Sequence, residues 1–340
     1  MFKSGFVSII GKPNVGKSTL LNALVKQKVS ITSPKPQTTR NKINGILTTD
    51  SYQLVFTDTP GIHKSKNALD KYMEKSISSS LDGVDVLVYM LDGTKPFLED
   101  ELNLIKTYIN TKTPVILVVS KTDLTTFEKL YPKLSVLNAL QGVKDIIPIS
   151  SFKKKNLDVL INEILKYISE GQKFYSEDEV TDVSLKFLSS EIIREKALLF
   201  IQQEIPHGIA VVIDKFLEGD SLVKISATIF CEKPNHKSII IGKSGEMLKK
   251  IGQSARVEIE RICDKKVFVE LWVKVKENWR SSDILLNTHN LSQEKLASML
   301  NVNQTTVSQW ILGKKKPSFD SILALYNKFG ITPNELFGID

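Results

Sequence analysis

The chain has only two cysteines in 340 residues, Cys231 and Cys263, far apart and outside any metal-ligand spacing. That excludes a disulfide framework and a cysteine-held metal centre, and a reducing compartment is expected. No apolar run approaches the roughly 20 residues that a membrane span needs. No signal peptide precedes the first strand, so a cytoplasmic protein is expected. Internal repeats and low-complexity segments are also missing, which excludes repeat architectures. What is present is the composition of ordinary globular protein, 41% hydrophobic and 25% charged, in a length that suits two or three domains. A net charge of +8 and a pI near 9.1 point to a polyanionic partner.

The strongest local signal is Gly11-Lys12-Pro13-Asn14-Val15-Gly16-Lys17-Ser18. The apolar run Phe6–Ile10 enters it as a buried strand would, and Thr19–Leu24 leaves it with helical spacing. Such a turn aims backbone N–H groups and the positive end of a helix dipole at one point, which suits phosphate. Lys17 would reach the β- and γ-phosphates, and Ser18 would ligate Mg²⁺. A plain glycine turn is the alternative, and the flanking strand and helix favour phosphate.

Ile31–Arg40 is polar, carries two prolines and reads as a mobile loop. Tyr52–Thr57 reads as a strand that delivers Asp58-Thr59-Pro60-Gly61 to the edge where open α/β sheets bind ligands. Further strands at Val84–Leu91, Pro114–Val119 and Ile146–Ile149 alternate with helices at Leu98–Asn110 and Leu157–Ser169. Residues 1–170 are therefore expected to form a mostly parallel sheet covered on both faces. The strand before Ser120-Lys121-Thr122-Asp123 and the one before Ser150-Ser151-Phe152 end on the same edge.

These five segments resemble the nucleotide-binding loops of translation-factor-class GTPases. The resemblance implies a P-loop GTPase fold that binds GTP and GDP with Mg²⁺. The nucleotide would lie among Gly11, Asn14, Val15, Gly16, Lys17, Ser18, Thr19, Ser120, Lys121, Asp123, Ser150, Ser151 and Phe152. Ser18, Asp58 and Thr39 would hold the metal, with Thr38 as second choice, and Thr39 would order its loop when the γ-phosphate is present. Asp123 would accept from the guanine N1–H and amine, a donor pair that adenine lacks. Ser120 stands where the family has Asn and is too short both to hold the phosphate loop and to reach the base, so weaker guanine affinity is expected. Ile62 stands where many such enzymes have a water-orienting Gln. Together with Asn14 it resembles the branch that includes tRNA-modification and ribosome-assembly GTPases. That branch implies a catalytic set of Lys17, Thr39, Asp58, Gly61 and Asn14, with K⁺ near Asn14.

Residues 171–182 read as a short polar, acidic linker, and 183–281 as a second domain. A helix is expected over Leu185–Ile205, ended by Pro206-His207-Gly208, in which His207 reads as a surface turn residue. A hairpin follows, Ile209–Phe216 and Leu222–Phe230 about Glu218-Gly219-Asp220. His236–Ile241 then leads into Gly242-Lys243-Ser244-Gly245, an amphipathic helix Glu246–Cys263 and a strand Val267–Val275. Gly-x-x-Gly before a basic helix is the loop with which a KH fold clamps a single-stranded backbone.

Ser190–Lys196, Glu204–His207, Ile240–Gly245 and Leu271–Arg280, with Gln37–Arg40 in the first domain, resemble the Era GTPases. That family implies an α+β type II KH domain. It also implies a role in small-subunit assembly, with the 3′ end of small-subunit ribosomal RNA and the pre-30S subunit as partners. By position, Ile241, Gly242, Lys243, Ser244 and Gly245 would contact RNA while Lys249 and Lys250 steer it. Both lysines also fit a solvated helix face. Peripheral association with the inner face of the cell membrane, a theme of the family, stays open.

Members of that family end near position 286, and this chain continues. Residues 282–340 resemble a helix-turn-helix of phage-repressor type, which implies a small all-α module. Ser292 caps a helix, Ala297 is the small residue at the helix crossing, and Trp310 and Ile311 are expected to pack. By the same resemblance Gln293 is a candidate DNA contact. By the resemblance Gln304, Thr305, Thr306, Ser308 and Gln309 would face DNA bases. A contact with RNA or a ribosomal protein, or a passive appendage, are the alternatives. For the whole chain the leading reading is a GTP-hydrolysing assembly factor. A GTP-regulated DNA-binding regulator, and a binding protein with weakened catalysis, are its rivals.

Overall fold

A computed structural model describes residues 1–35, 38–62, 73, 77, 80–201, 209–276, 297, 302, 303, 305 and 306. Packing divides the chain into two units, Met1–Ser65 with Asp70–Leu199, and Lys66–Leu69 with Phe200–Asp340.

The first unit is built on a six-stranded sheet: β1 (Lys3–Gly11), β2 (Ile43–Thr48), β3 (Tyr52–Asp58), β4 (Val86–Asp92), β5 (Val115–Ser120) and β6 (Asp145–Pro148), in the order β2-β3-β1-β4-β5-β6. Every pairing is parallel except β2 with β3. Helices α1 (Lys17–Val25), α2 (Glu99–Ile109), α3 (Phe127–Asn138) and α4 (Leu157–Leu165) follow β1, β4, β5 and β6. The mostly parallel sheet expected from the sequence is present, and the period-two geometry of a strand explains its unbroken apolar runs. Along β4, Val86, Val88 and Met90 enter one core while Leu87, Tyr89 and Leu91 enter the core on the opposite face.

Two elements were not foreseen. Ile43–Thr48 pairs antiparallel to β3 through a tight turn in which Thr49 N–H donates to Tyr52 O at 2.9 Å. Phe127–Asn138 is helical despite Pro132 in its interior, a residue that removes one helical hydrogen bond and speaks against a helix in sequence.

The 171–182 segment is laid along the sheet rather than left free. Gln53 Oε1 accepts from the N–H groups of Phe174 and Tyr175 at 2.7 and 3.0 Å, and Ile46 N–H donates to Val180 O at 2.9 Å. Asn44 Nδ2 donates to Asp182 at 2.7 Å. The segment thereby covers the exposed edge of β2. Helix α5 (Leu185–Phe200) follows, and packing keeps it with the first unit as far as Leu199. The sequence places the start of the second domain at 183, and packing divides the two units after Leu199.

In the second unit β7 (Ile209–Glu218) and β8 (Leu222–Cys231) form the expected hairpin, and β9 (Lys266–Val275) adds parallel to β8. A parallel return requires a crossover. It is made by α6 (Pro234–Ile241), a 3₁₀ turn at Lys243–Gly245 and α7 (Glu246–Cys263). Ile251, Ala255 and Ile259 are the buried stripe of α7, spaced at one turn. The stretch read as an apolar lead-in, His236–Ile241, is helical instead, opened by Pro234 at its first turn.

Candidate functional site

At the C-terminal edge of the first sheet, β1 ends at Gly11 and α1 starts at Lys17 with no acidic residue in its first turn. The first turn of α1 itself therefore brings no carboxylate to its positive end. Lys17 is 6% exposed, and its Nζ donates to Gly11 O and Lys12 O, both at 3.0 Å. The amine thus rests on the carbonyls of its own loop. Burial lowers its pKa to about 8, with Asp58 partly opposing the shift.

Three side chains that the sequence places far apart converge beside it. Ser18 Oγ donates to Asp58 Oδ2 at 2.6 Å and stands 2.8 Å from Thr39 Oγ1, which is itself 3.4 Å from Asp58 Oδ2. Ser30, which the sequence reading passed over, donates to the same oxygen at 2.9 Å. Asp58 Oδ1 is buried and has no hydrogen-bond partner among the described residues. Burial raises the Asp58 pKa, while Lys17 and the three hydroxyls lower it. Two hydroxyls and a carboxylate with one orphaned oxygen are a hard, oxygen-only donor set that fits Mg²⁺. Thr38 turns elsewhere, its Oγ1 donating to Lys35 O at 2.6 Å.

Gly61 closes this side. A Cβ there would come within 2.7 Å of Pro13 in the phosphate loop, and Ile62 N–H donates to Gly11 O at 3.0 Å. The Ile62 side chain packs on the apolar core around Ile10 and Tyr89. Asn14, at φ 63°, donates from Nδ2 to Pro34 O at 2.7 Å, tying the phosphate loop to the Ile31–Arg40 loop. Pro36 and Gln37 lie outside the described residues.

On the base side Ser120 Oγ lies 2.6 Å from Val15 O and 2.8 Å from Leu91 O, so its proton is shared between two buried carbonyls. It thus makes the phosphate-loop contact that the sequence reading considered too demanding for a short side chain to combine with the base. Lys121 Nζ donates to Asn14 O and Asp92 Oδ2, each at 2.7 Å. Asp123 is exposed and accepts from Ser150 Oγ at 2.5 Å, which draws the last two predicted segments together. Ser151 is half-buried and Phe152 is 78% exposed. A cavity of about 590 Å³ lies over the phosphate loop, lined among others by Gly16, Lys17, Ser18, Thr19, Thr39, Lys121 and Leu199. That volume suits a small molecule.

The second unit carries its own cleft, about 520 Å³, between α7 and β9. Gly245 at the end of the 3₁₀ turn and Lys249, Gly252 and Arg256 on the helix line it, with Val267–Val269 and Leu271 on the strand. The two predicted steering lysines part company. Lys249 lines the cleft, whereas Lys250 Nζ lies 4.5 Å from the centre of the Phe200 ring. Lys243 and Ser244 stand exposed at the tip of the glycine loop, with Ile241 and Gly242 half-buried behind it.

Three family models match the chain: one described as a 50S ribosome-binding GTPase over residues 6–121, a KH domain over 204–280, and a helix-turn-helix over 284–336. The GTPase Era of Ruminiclostridium cellulolyticum is 50% identical over 289 residues, spanning 84% of this chain and 97% of that protein. That of Clostridium acetobutylicum is 50% identical over 286 residues, with the same coverage. A crystal structure of Era with MgGDPNP and nucleotides 1506–1542 of 16S ribosomal RNA superposes with a TM-score of 0.79 at 40% identity, over 82% of this chain and 96% of that one. Aquifex aeolicus Era bound to GDP and AlF₄⁻ gives the same values.

The chain belongs to the Era family of GTPases.

The Era relatives span 84% of the chain, and the helix-turn-helix match covers residues 284–336 at its C-terminal end. Within that tail Thr305 and Thr306 are described and helical, and Ala297 is 4% exposed. Gln293, Gln304, Ser308 and Gln309 lie outside the described residues, as does His207. Sequence reading of the Era site missed Ser30, Leu199, and the α5 residues Arg194 and Glu195 that reach the loop. Arg194 and Glu195 fall within Ser190–Lys196, which the sequence marks as Era-like but assigns no part in the nucleotide site; Ser30 and Leu199 lie in no motif.

Proposed function

We propose that this protein hydrolyses GTP to GDP and phosphate as a switch that times small-subunit assembly, binding a single-stranded segment near the 3′ end of small-subunit ribosomal RNA through its KH unit. The observation that carries the reading is the convergence of Ser18, Thr39 and the half-satisfied carboxylate of Asp58 on one point beside Lys17. Ser18, Thr39 and Asp58 would hold Mg²⁺, which when bound offsets charge on the β- and γ-phosphates. Lys17, released from its loop carbonyls, would take the phosphate oxygens, and backbone N–H groups at the start of α1 would share them. Asp123, fixed by Ser150, would select guanine. Ile62 leaves no side-chain amide to orient water, so slow turnover accelerated by a partner is expected, and K⁺ near Asn14 would add to the electrostatics.

The RNA half of the proposal rests on the KH match, the cleft with Lys249 and Arg256 at its rim, and the relative seen with 16S ribosomal RNA. The 50S named by the G-domain family model concerns residues 6–121 alone, which hold no KH element. The protein would work in the cytoplasm. Cross-linking to cellular nucleic acid in the GTP-bound state, beside a chain ending at Leu286, tests this. Recovery of the 3′ end of small-subunit RNA by both chains supports it. Recovery of duplex DNA by the full chain alone would replace it with the second reading, a regulator acting through the tail, which the helix-turn-helix match favours. Exchange of KCl for NaCl in the hydrolysis assay tests the cation.

A further inference from the structure

The loop between α1 and β2 is gripped at both ends by a helix that lies outside every nucleotide-binding motif. Glu195 on α5 is 1% exposed. Its Oε1 accepts from Thr32 N–H at 2.8 Å, and its Oε2 from Lys28 Nζ at 2.6 Å and Lys196 Nζ at 2.9 Å. Arg194 is 2% exposed and serves the far end, donating through Nη2 to Thr38 O. Glu191 braces it, accepting from Nε at 2.8 Å. Its Nη1 is buried with no hydrogen-bond partner among the described residues, so neighbouring groups on α5 do not saturate this guanidinium.

Thr38 O belongs to the planar peptide group that also carries the Thr39 N–H. A charged donor on that oxygen fixes the plane from which Thr39 departs, and Thr39 Oγ1 sits 2.8 Å from Ser18 Oγ. Ordering a loop with two prolines and no regular hydrogen-bond ladder is entropically costly. Buried ionic contacts at Thr32 and Thr38 meet part of that cost.

We propose that Arg194 and Glu195 are positioning residues for GTP hydrolysis, holding the loop so that Thr39 reaches the Mg²⁺ shared with Ser18 and Asp58. The inference rests on the reading of Thr39 as a metal ligand. It has a reciprocal consequence: whatever orders the loop also holds α5, whose chain runs on into the second unit at Phe200.

The test is single-turnover GTP hydrolysis by the full-length protein, titrated with MgCl₂. Wild type is set beside Thr39→Ala, Arg194→Met, Arg194→Lys and Glu195→Gln, with fluorescent GDP affinity measured on each preparation. Thr39→Ala examines the ligand reading alone and is expected to raise the Mg²⁺ needed for hydrolysis while leaving GDP affinity nearly unchanged. Arg194→Met is expected to slow hydrolysis about 30-fold and to shift the Mg²⁺ curve in the same direction. Arg194→Lys, which keeps a charged donor, recovers part of that loss, and Glu195→Gln loses about fivefold. In the Thr39→Ala background Arg194→Met adds nothing further, because both act through one group.

A wild-type Mg²⁺ curve for the Arg194 and Glu195 variants overturns the proposal, as does full additivity with Thr39→Ala. If Thr39→Ala leaves the curve unmoved, the ligand reading falls and takes the proposal with it. If only the α5 variants leave it unmoved, the proposal alone falls. Should Arg194→Met lose GDP binding through misfolding, Glu195→Gln, equal in size and shape to the residue it replaces, carries the decision.

Discussion

Gly11–Ser18 and Gly242–Gly245 each set a short glycine-bounded loop ahead of a helix, yet the first is fastened into its sheet and the second stands in solvent. Around the phosphate loop, Ser120, Lys121 and Asn14 tie backbone and side chains to two other segments, the end of β5 and the Ile31–Arg40 loop, and Lys17 is buried. At the other loop Lys243 and Ser244 are exposed, and Ser244 holds a left-handed φ of 52°. The difference follows from the ligand each suits. A small anion is gripped from all sides by donors fixed in advance, which requires a closed cradle. A polymer must enter sideways and leave at both ends, so its clamp has to remain an open rim beside a groove.

The largest effect that would sharpen this contrast is expected from Lys17→Ala. Nucleotide affinity should fall more than about 100-fold, since a buried charge-assisted contact is lost, while RNA affinity without nucleotide changes little. Equal losses of both in parallel titrations would mean the two loops are not independently built.

Next come the two glycines of the open loop, whose φ values are nearly equal at +75° and +81°. A Cβ on Gly242 would meet Met247 Cβ at 2.6 Å, whereas one on Gly245 meets nothing within 4 Å. Gly242→Ala should therefore weaken RNA binding about 20-fold, and Gly245→Ala only about fivefold, the cost of the left-handed backbone alone. Fluorescence anisotropy with a short single-stranded RNA measures both, and the reverse order would show that space around the loop does not matter.

Burial of Lys17 predicts a pH effect confined to the closed cradle. With its pKa near 8 in the free protein, the amine is mostly neutral at pH 9, and bound phosphate would hold the proton on. The liganded state then binds more protons, so affinity falls as pH rises from 7 to 9, by up to about tenfold. Calorimetry in buffers of different ionisation enthalpy should show uptake of roughly one proton per nucleotide at pH 9, and none for RNA.

The smallest effect separates Lys249 from Lys250. Lys249→Ala should weaken RNA binding about threefold and reduce the salt slope by about 0.7 for a single strand. Lys250→Ala should leave that slope unchanged and cost about 0.5–1 kcal/mol of stability through its contact with Phe200. Identical salt slopes would place both lysines on the same footing.

Much of the closed cradle was legible because each of its parts is a strand end followed by a loop of fixed chemistry. Parallel topology brings the ends of β1, β3 and β5, and the loop after β6, to one edge. Less of its surroundings was legible. Ile43–Thr48 pairs by hydrogen bonds that composition does not announce, Pro132 disguises a helix, and the polar look of 171–182 hides a segment bonded along an edge strand. In the second unit the glycine loop and the long helix were plain, while the short helix Pro234–Ile241 was not, being too brief for a period to show.

The sequence alone determined most of the strands and helices, the residue types of the proposed nucleotide site, and the glycine loop of the KH unit. Those are local properties: backbone conformation and side-chain chemistry act within a few residues of where they are written. Tertiary structure decided that Thr39 and not Thr38 meets Ser18 and Asp58, that Ser120 holds Val15, and that Lys249 and Lys250 point to different tasks. It also decided that α5 grips the loop of the first unit, through Arg194 and Glu195. Each of these is a contact between residues distant in sequence or a choice between adjacent side chains, and packing alone settles which groups share a space too small for both.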